Sequence, residues 1–273
     1  MHAAMINPFT SDRSRLTNLL LDKAPVVEAG IQLQFSDIPH WSVLHPGMLY
    51  QHVRDRFEHF RELQEMPPVL ELFPARNRRL QLQLGSSGGP GCCQFENDTR
   101  ECLIRIQRNR FSYHWAAGPK SQGREYPSFQ ENYLSFEREY LDFEEFCRKQ
   151  NLPSPEPLLA EVAYVNHLHP KEGESLANLT NRIFGVDVGE CELVTLNRTY
   201  TRGNEGRLYS EINVNLDDNC HFLVFQLTSR ILLGQSATDW RMAIELAHDW
   251  LIETFINSTS ETVRKEEWKQ NVE

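Results

Sequence analysis

An aromatic stripe is the feature that most constrains how this chain can fold. Phe129, Tyr133, Phe136, Tyr140 and Phe143 recur at steps of four, three, four and three, with Glu and Arg residues between them. That spacing predicts an amphipathic helix over residues 127–147, whose aromatic side needs a sheet or another helix to cover it. Pro127 suits the start of such a helix, where its missing N–H would have no partner. A second long helix is expected over 239–256, where Trp240, Ile244, Ala247, Leu251 and Phe255 share one side.

Strand patterns surround these helices. Ile31, Leu33 and Phe35 alternate with Gln32 and Gln34, which predicts a strand with one face buried and the other solvated. Leu80, Leu82 and Leu84 repeat the pattern and run into a glycine-rich turn at 85–91. Residues 102–115 read as one long strand. Its apolar phase changes from Ile104 and Ile106 to Phe111, Tyr113 and Trp115, so a bulge is expected near 107–109. Residues 48–65 carry apolar side chains at helical spacing and stop at Pro67 and Pro68. After a proline-rich stretch at 153–157 come a strand from Val162 to Leu168 and a short helix ended by Gly185. Three strands follow near 191–201, 207–216 and 221–233, with turns at 203–206 and 217–219.

The order strand, short helix, strands, long helix thus reads twice. The fold expected from it is α+β, with two pseudo-repeated β-α-β(n)-α halves sharing an antiparallel sheet and a long helix on each half. TATA-binding-protein-like and helix-grip-like folds use that arrangement. The corresponding division is a loose segment 1–24, a first half 25–152 and a second half 153–273.

Charge and cysteine usage narrow the function classes. Lys and Arg number 28 against 38 Asp and Glu, a net charge of −10. Affinity for nucleic acid rests on neutralising phosphates, so this balance argues against nucleic acid as the main partner. The strand bearing Arg105, Arg108 and Arg110 is the local exception and the basis of a rival nucleic-acid-binding reading. No apolar run approaches the ~20 residues of a membrane helix, and the N-terminus lacks a leader pattern, so a cytoplasmic protein with no membrane partner is expected. The six cysteines, at 92, 93, 102, 147, 191 and 220, form no C-x-x-C and read as reduced structural thiols.

No phosphate-binding loop, nucleophile elbow or zinc-protease motif is present. The candidate residues are therefore scattered. His248, at the border of an apolar helix side, could exchange a proton with Glu28 or Glu161, each at the start of a strand. His167 and His169 lie two apart and could ligate a metal, with His248 and Asp249 as further donors. Arg108, Arg110, His114, Trp115 and Tyr126 could line a pocket mouth, with Asn166 on the later strand as another binding candidate. No cofactor is implied. A well-formed core without a recognisable catalytic constellation leads to the expectation of a non-catalytic binding or interaction protein, with a protein partner or small ligand and no stated oligomeric state. The alternative is a hydrolase-type or metal-dependent enzyme built on His248 or on the His167–His169 pair.

Five short motifs in order resemble a sporadically distributed family of bacterial proteins of similar length that has no established activity. They are Ala24 to Glu28 (Ala, Pro, Val, Val, Glu), Gln107 to Phe111 with Trp115, Tyr126 to Phe129, Glu161 to Asn166, and Ala247 and His248 through Phe255 to Trp268. Ala24 stands where that family has a proline. The resemblance implies a bacterial cytoplasmic protein, and the family's patchy occurrence implies a place in mobile defence or toxin–antitoxin systems. It offers no catalytic residue to transfer.

Overall fold

The computed structural model describes residues 21, 23–71, 73, 91–117, 125–189, 195–217, 220–234, 237 and 239–270. Among them, nine strands form a single antiparallel sheet and five helices accompany it. The strands are β1 (Val26–Phe35), β2 (His59–Leu63), β3 (Cys92–Glu96), β4 (Cys102–Gln107), β5 (Arg110–Ala116), β6 (Pro157–Leu168), β7 (Thr195–Arg202), β8 (Gly206–Asp217) and β9 (Cys220–Leu232). Across the sheet their order is β2-β3-β4-β5-β1-β6-β9-β8-β7. The helices are α1 (Leu44–Val53), α2 (Phe129–Lys149), α3 (Leu176–Phe184), α4 (Trp240–Ser258) and α5 (Glu261–Glu266). None of the described helices is long and apolar enough to cross a membrane.

The aromatic stripe does what its spacing predicts. Ser128 caps α2, its Oγ accepting the Glu131 N–H at 3.1 Å, and the helix lays Phe136, Tyr140 and Phe143 on β1 and β5. Phe111 of β5 meets all three of those rings, with centroids 5.3–5.8 Å away. α4 begins at the Asp239 cap, whose Oδ1 accepts the Met242 N–H at 2.9 Å, and covers β6 and β9. Trp240 then wedges edge-on against Phe136 and Tyr140, so the two long helices share one apolar layer. Burying each such ring contributes about 1.5–3 kcal/mol. A bidentate pair from Arg56 to the fully buried Glu139 carboxylate, with Asp142 at 2.6 Å, ties the loop after α1 to α2.

The α+β class stands, but the arrangement in two β-α-β(n)-α halves, TATA-binding-protein-like or helix-grip-like, does not. β1 is paired on both sides, to β5 and to β6, and the β1–β6 register runs from Val26 to Phe35. The chain is one nine-stranded sheet with five helices and one continuous core, not two halves, because the β1–β6 pairing satisfies both rows of backbone groups and joins the strands without a break.

Two local expectations also fail. The helix over 48–65 ends at Val53, and residues 59–63 form β2 instead, because β3 offers them an unpaired edge and Phe60 packs on Phe95 and Tyr50. The long strand over 102–115 is a hairpin. Gln107 pairs with Arg110 across a turn at residues 108 and 109, which reverses the chain while keeping Ile106 and Phe111 on the same face. A two-residue turn thus explains the phase change without a bulge. Gly185, at φ 64°, closes α3, and residues 203–205 turn β7 into β8 as expected. The strand at 80–84 lies outside the described residues.

Phe143→Ala is expected to lower the unfolding free energy by about 3–5 kcal/mol, since the site cannot collapse around a lost ring. Leu134→Ala, on the exposed side of the same helix at 53% exposure, is expected to change it by less than about 0.5 kcal/mol. Urea unfolding of the two variants beside the parent measures both.

Candidate functional site

The helices cover one face of the sheet, and the other face is polar. One side chain per strand forms a row across it, each opposite the next in register. The row runs Arg61, Gln94, Arg105, Ser112, Gln32, Glu161, Arg230, Arg207 and Thr201, from β2 to β7. Strand alternation puts these residues there, because Leu33, Ile106 and Phe111 beside them in sequence point to the helices. In sequence such polar positions read as solvated. In the structure Gln32 and Gln34 are 7% and 6% exposed, Arg110 is 4% exposed and Ser112 is fully buried.

A strap of irregular chain beginning at Met66 crosses this face. The Gln107 side chain accepts the Met66 N–H at 3.1 Å and donates to its carbonyl at 2.8 Å. Gln34 does the same for Val69, at 2.6 and 2.9 Å. These two glutamine amides replace the backbone partners of a strand. Pro67 and Pro68 between them bring no N–H that would need one. Glu71 anchors the far end. Its buried carboxylate accepts from Arg207 at 2.5 Å, Arg230 at 2.9 Å and the Tyr209 hydroxyl at 2.8 Å. Arg230 continues to Glu161 at 2.5 Å, and the Phe73 ring lies 4.6 Å from the Arg207 guanidinium carbon. Burial pulls the Arg230 pKa down, yet Glu161 and Glu71 outweigh it and leave the group above its ordinary value.

Arg110 differs from these two arginines. It donates to the Pro67 carbonyl at 2.9 Å and to Gln34 Oε1 at 3.2 Å, but among the described residues no carboxylate bonds it and its buried Nε has no partner. Burial first, and then the nearby positive charge of Arg230, lowers its pKa against the pull of Glu161. Arg105, across from Ser112, bonds only Gln94 Oε1 among the described residues, at 2.6 Å. His114, two residues beyond Ser112, shares a 2.9 Å hydrogen bond between its Nε2 and the Ser112 Oγ. Its ring lies over Gly30, where a Cβ would stand 2.7 Å from Nδ1, so that position has no room for a side chain. Burial, then Arg105, pushes the His114 pKa down to about 3, leaving the ring neutral at ordinary pH.

The other candidate residues fall in separate places. Arg108, in the hairpin turn, pairs with Glu65 at 2.8 Å and Asp37 at 3.3 Å, so the Arg105–Arg110 strand is not a continuous solvated basic strip. Trp115 and Tyr126 are on the helix side. There the Tyr126 and Tyr164 hydroxyls are 3.0 Å apart, and the Trp115 ring meets Tyr126 edge-on. His248 stacks flat on Phe129 with centroids 3.6 Å apart, and burial lowers its pKa although Asp249 pulls the other way. Asn166 is buried on that side too, its Nδ2 donating to the Phe225 carbonyl at 2.9 Å.

Glu28 and Glu161 are on the opposite face from His248, so the sheet separates the histidine from both carboxylates. Their register positions are four residues apart along paired strands, about 13 Å, too far for a shared proton. His167 and His169 both meet the Phe222 ring, with their own ring centroids 6.4 Å apart. Among the described residues no three His, Cys, Asp or Glu side chains converge as metal ligands. Cys92 and Cys93 project to opposite faces of β3 as buried free thiols, and burial pushes the Cys93 pKa up to about 11.

Gln34, Gln107 and Glu71 carried no signal that sequence reasoning could weigh. Their partners, the strap for the two glutamines and β8 and β9 for Glu71, lie 35 or more residues away along the chain.

Glu71→Gln is expected to cost about 3 kcal/mol of unfolding free energy, because it removes the buried negative charge facing Arg207 and Arg230. The histidines add a pH dependence. Their folded pKa values are depressed, so the stabilisation is complete above the unfolded value of about 6.5 and is lost as the pH falls below it. His114→Gln is expected to reduce that slope by up to about 1.4 kcal/mol per pH unit, checked by urea midpoints between pH 7 and 5.

Compared with models of known protein families the chain gives no match, and compared with curated proteins it gives none either.

Proposed function

We propose that this chain is a non-catalytic binding protein that takes its ligand on the strap-crossed polar face of the sheet. The observation that carries the reading is Arg110, a buried cation that bonds no carboxylate among the described residues. A folding core has no use for such a group, since burying an unpaired charge opposes stability. Functional sites are where proteins keep residues of that kind. The separation of His248 from Glu28 and Glu161 gives the acid–base reading no matching support.

Arg110→Met tests this. If the arginine is kept for binding, the variant holds its unfolding free energy within about 1 kcal/mol of the parent, or exceeds it. Native mass spectrometry of parent protein purified gently from its own host then shows a co-bound species that the variant lacks. A parent chain that carries nothing while turning over a substrate would overturn the proposal, as would a variant that loses more than about 3 kcal/mol of stability.

A further inference from the structure

The proposed binding face also suggests what its ligand carries, and the inference below rests on that reading. We infer that Arg105 and Arg110, with the Ser112 hydroxyl between them, form a site for an oxyanion, the carboxylate or phosphate end of a small ligand. Three observations converge on it. Ser112 lies directly opposite Arg105 and two residues from Arg110 on the same face of β5, so the three positions adjoin in register. Neither arginine is within ion-pair distance of a carboxylate among the described residues, whereas Arg207 and Arg230 in the same row share Glu71. Arg110 Nε, a charged donor on a side chain 4% exposed, has no acceptor among the described residues.

The remaining neighbours fit an anion as well. His114 is neutral and engaged with the Ser112 Oγ, so it adds a hydrogen-bonding partner rather than a third charge. Gln32, opposite Ser112 on the other side, sits 3.4 Å from Glu161 through its amide nitrogen, and that carboxylate bonds Arg230, so it acts on Arg110 through its field and not through a bond. Planar guanidinium groups recognise carboxylate and phosphate through paired N–H donors. The chain as a whole carries a net charge of −10, so two arginines on one sheet face that bond no carboxylate among the described residues stand out against its field.

The test is thermal unfolding of the full chain in inorganic phosphate, with sodium acetate as a second arm and sodium chloride of matched ionic strength as reference. Parent protein is expected to gain about 5 °C in Tm at saturating phosphate over chloride. Arg105→Gln, at a half-buried position with one hydrogen bond, is expected to keep the parent's circular dichroism and its Tm in chloride while losing that gain. A gain in acetate alone assigns the site to carboxylates, and a gain in phosphate alone assigns it to phosphoryl groups. Equal Tm in all three salts for the parent overturns the oxyanion site, as does an equal gain in Arg105→Gln. If the salts have no effect while native mass spectrometry still shows a co-bound species, the binding reading stands and this inference alone fails.

Discussion

β1 sets the architecture because it is buried from both sides and both edges. Its backbone is fully paired, to β5 on one edge and β6 on the other. Its odd-numbered side chains, Ala29, Ile31, Leu33 and Phe35, form the floor on which the long helices lie. Its even-numbered ones, Gln32 and Gln34, hold Glu161 and the strap on the opposite face. A strand with a period of two can serve two layers at once, and a one-residue slip would exchange aromatic contacts for glutamine amides along its whole length. The register of this single strand therefore fixes the core and the polar face together.

The two faces solve burial by different physics. On the helix side the main contribution is apolar area, from stacked and edge-on rings of α2, α4, β1 and β5, with the Arg56–Glu139 pair as a buried ionic contact. On the strap side every buried polar group needs a named partner. Gln34 and Gln107 satisfy backbone atoms, and Glu71 neutralises Arg207 and Arg230. Among the described residues of this face, Arg110 and Arg105 bond no carboxylate. A low-dielectric surface magnifies the consequence of an uncompensated charge, which is why the gap draws attention to those two residues rather than to the exposed arginine pairs elsewhere. Arg108, only two residues from Arg110, illustrates the contrast. It is half-exposed and sits between two carboxylates, where water screens whatever charge remains.

Much of the secondary structure was legible because it depends on local periodicity. The stripe from Phe129 to Phe143, the Gly185 helix end, the turn at 203–205 and the three late strands follow from spacing and backbone preference alone. Failures occurred where a non-local partner overrode the local pattern. Residues 57–63 have helical spacing but became an edge strand because β3 was there to pair with them. The change of phase at residues 107–110 was visible, yet a bulge and a tight hairpin produce the same alternation in sequence, and only pairing of Gln107 with Arg110 distinguishes them.

The candidate site divides along the same line. Arg110 and His114 stood out in the sequence as charged and titratable residues on an aromatic strand, and both are on the polar face. Trp115 and Tyr126, grouped with them by proximity in sequence, went to the other side, since adjacent strand residues point opposite ways. Which strand lies beside which, and what crosses the sheet, are long-range facts. The sequence by itself determined where helices and strands form, because the chain writes its apolar periodicity locally. Only the tertiary structure decided that Gln32 and Gln34 are buried, that Glu71 joins two arginines 136 and 159 residues away, and that Arg110 bonds no carboxylate among the described residues. Charge compensation depends on distance in space, and no local pattern encodes it.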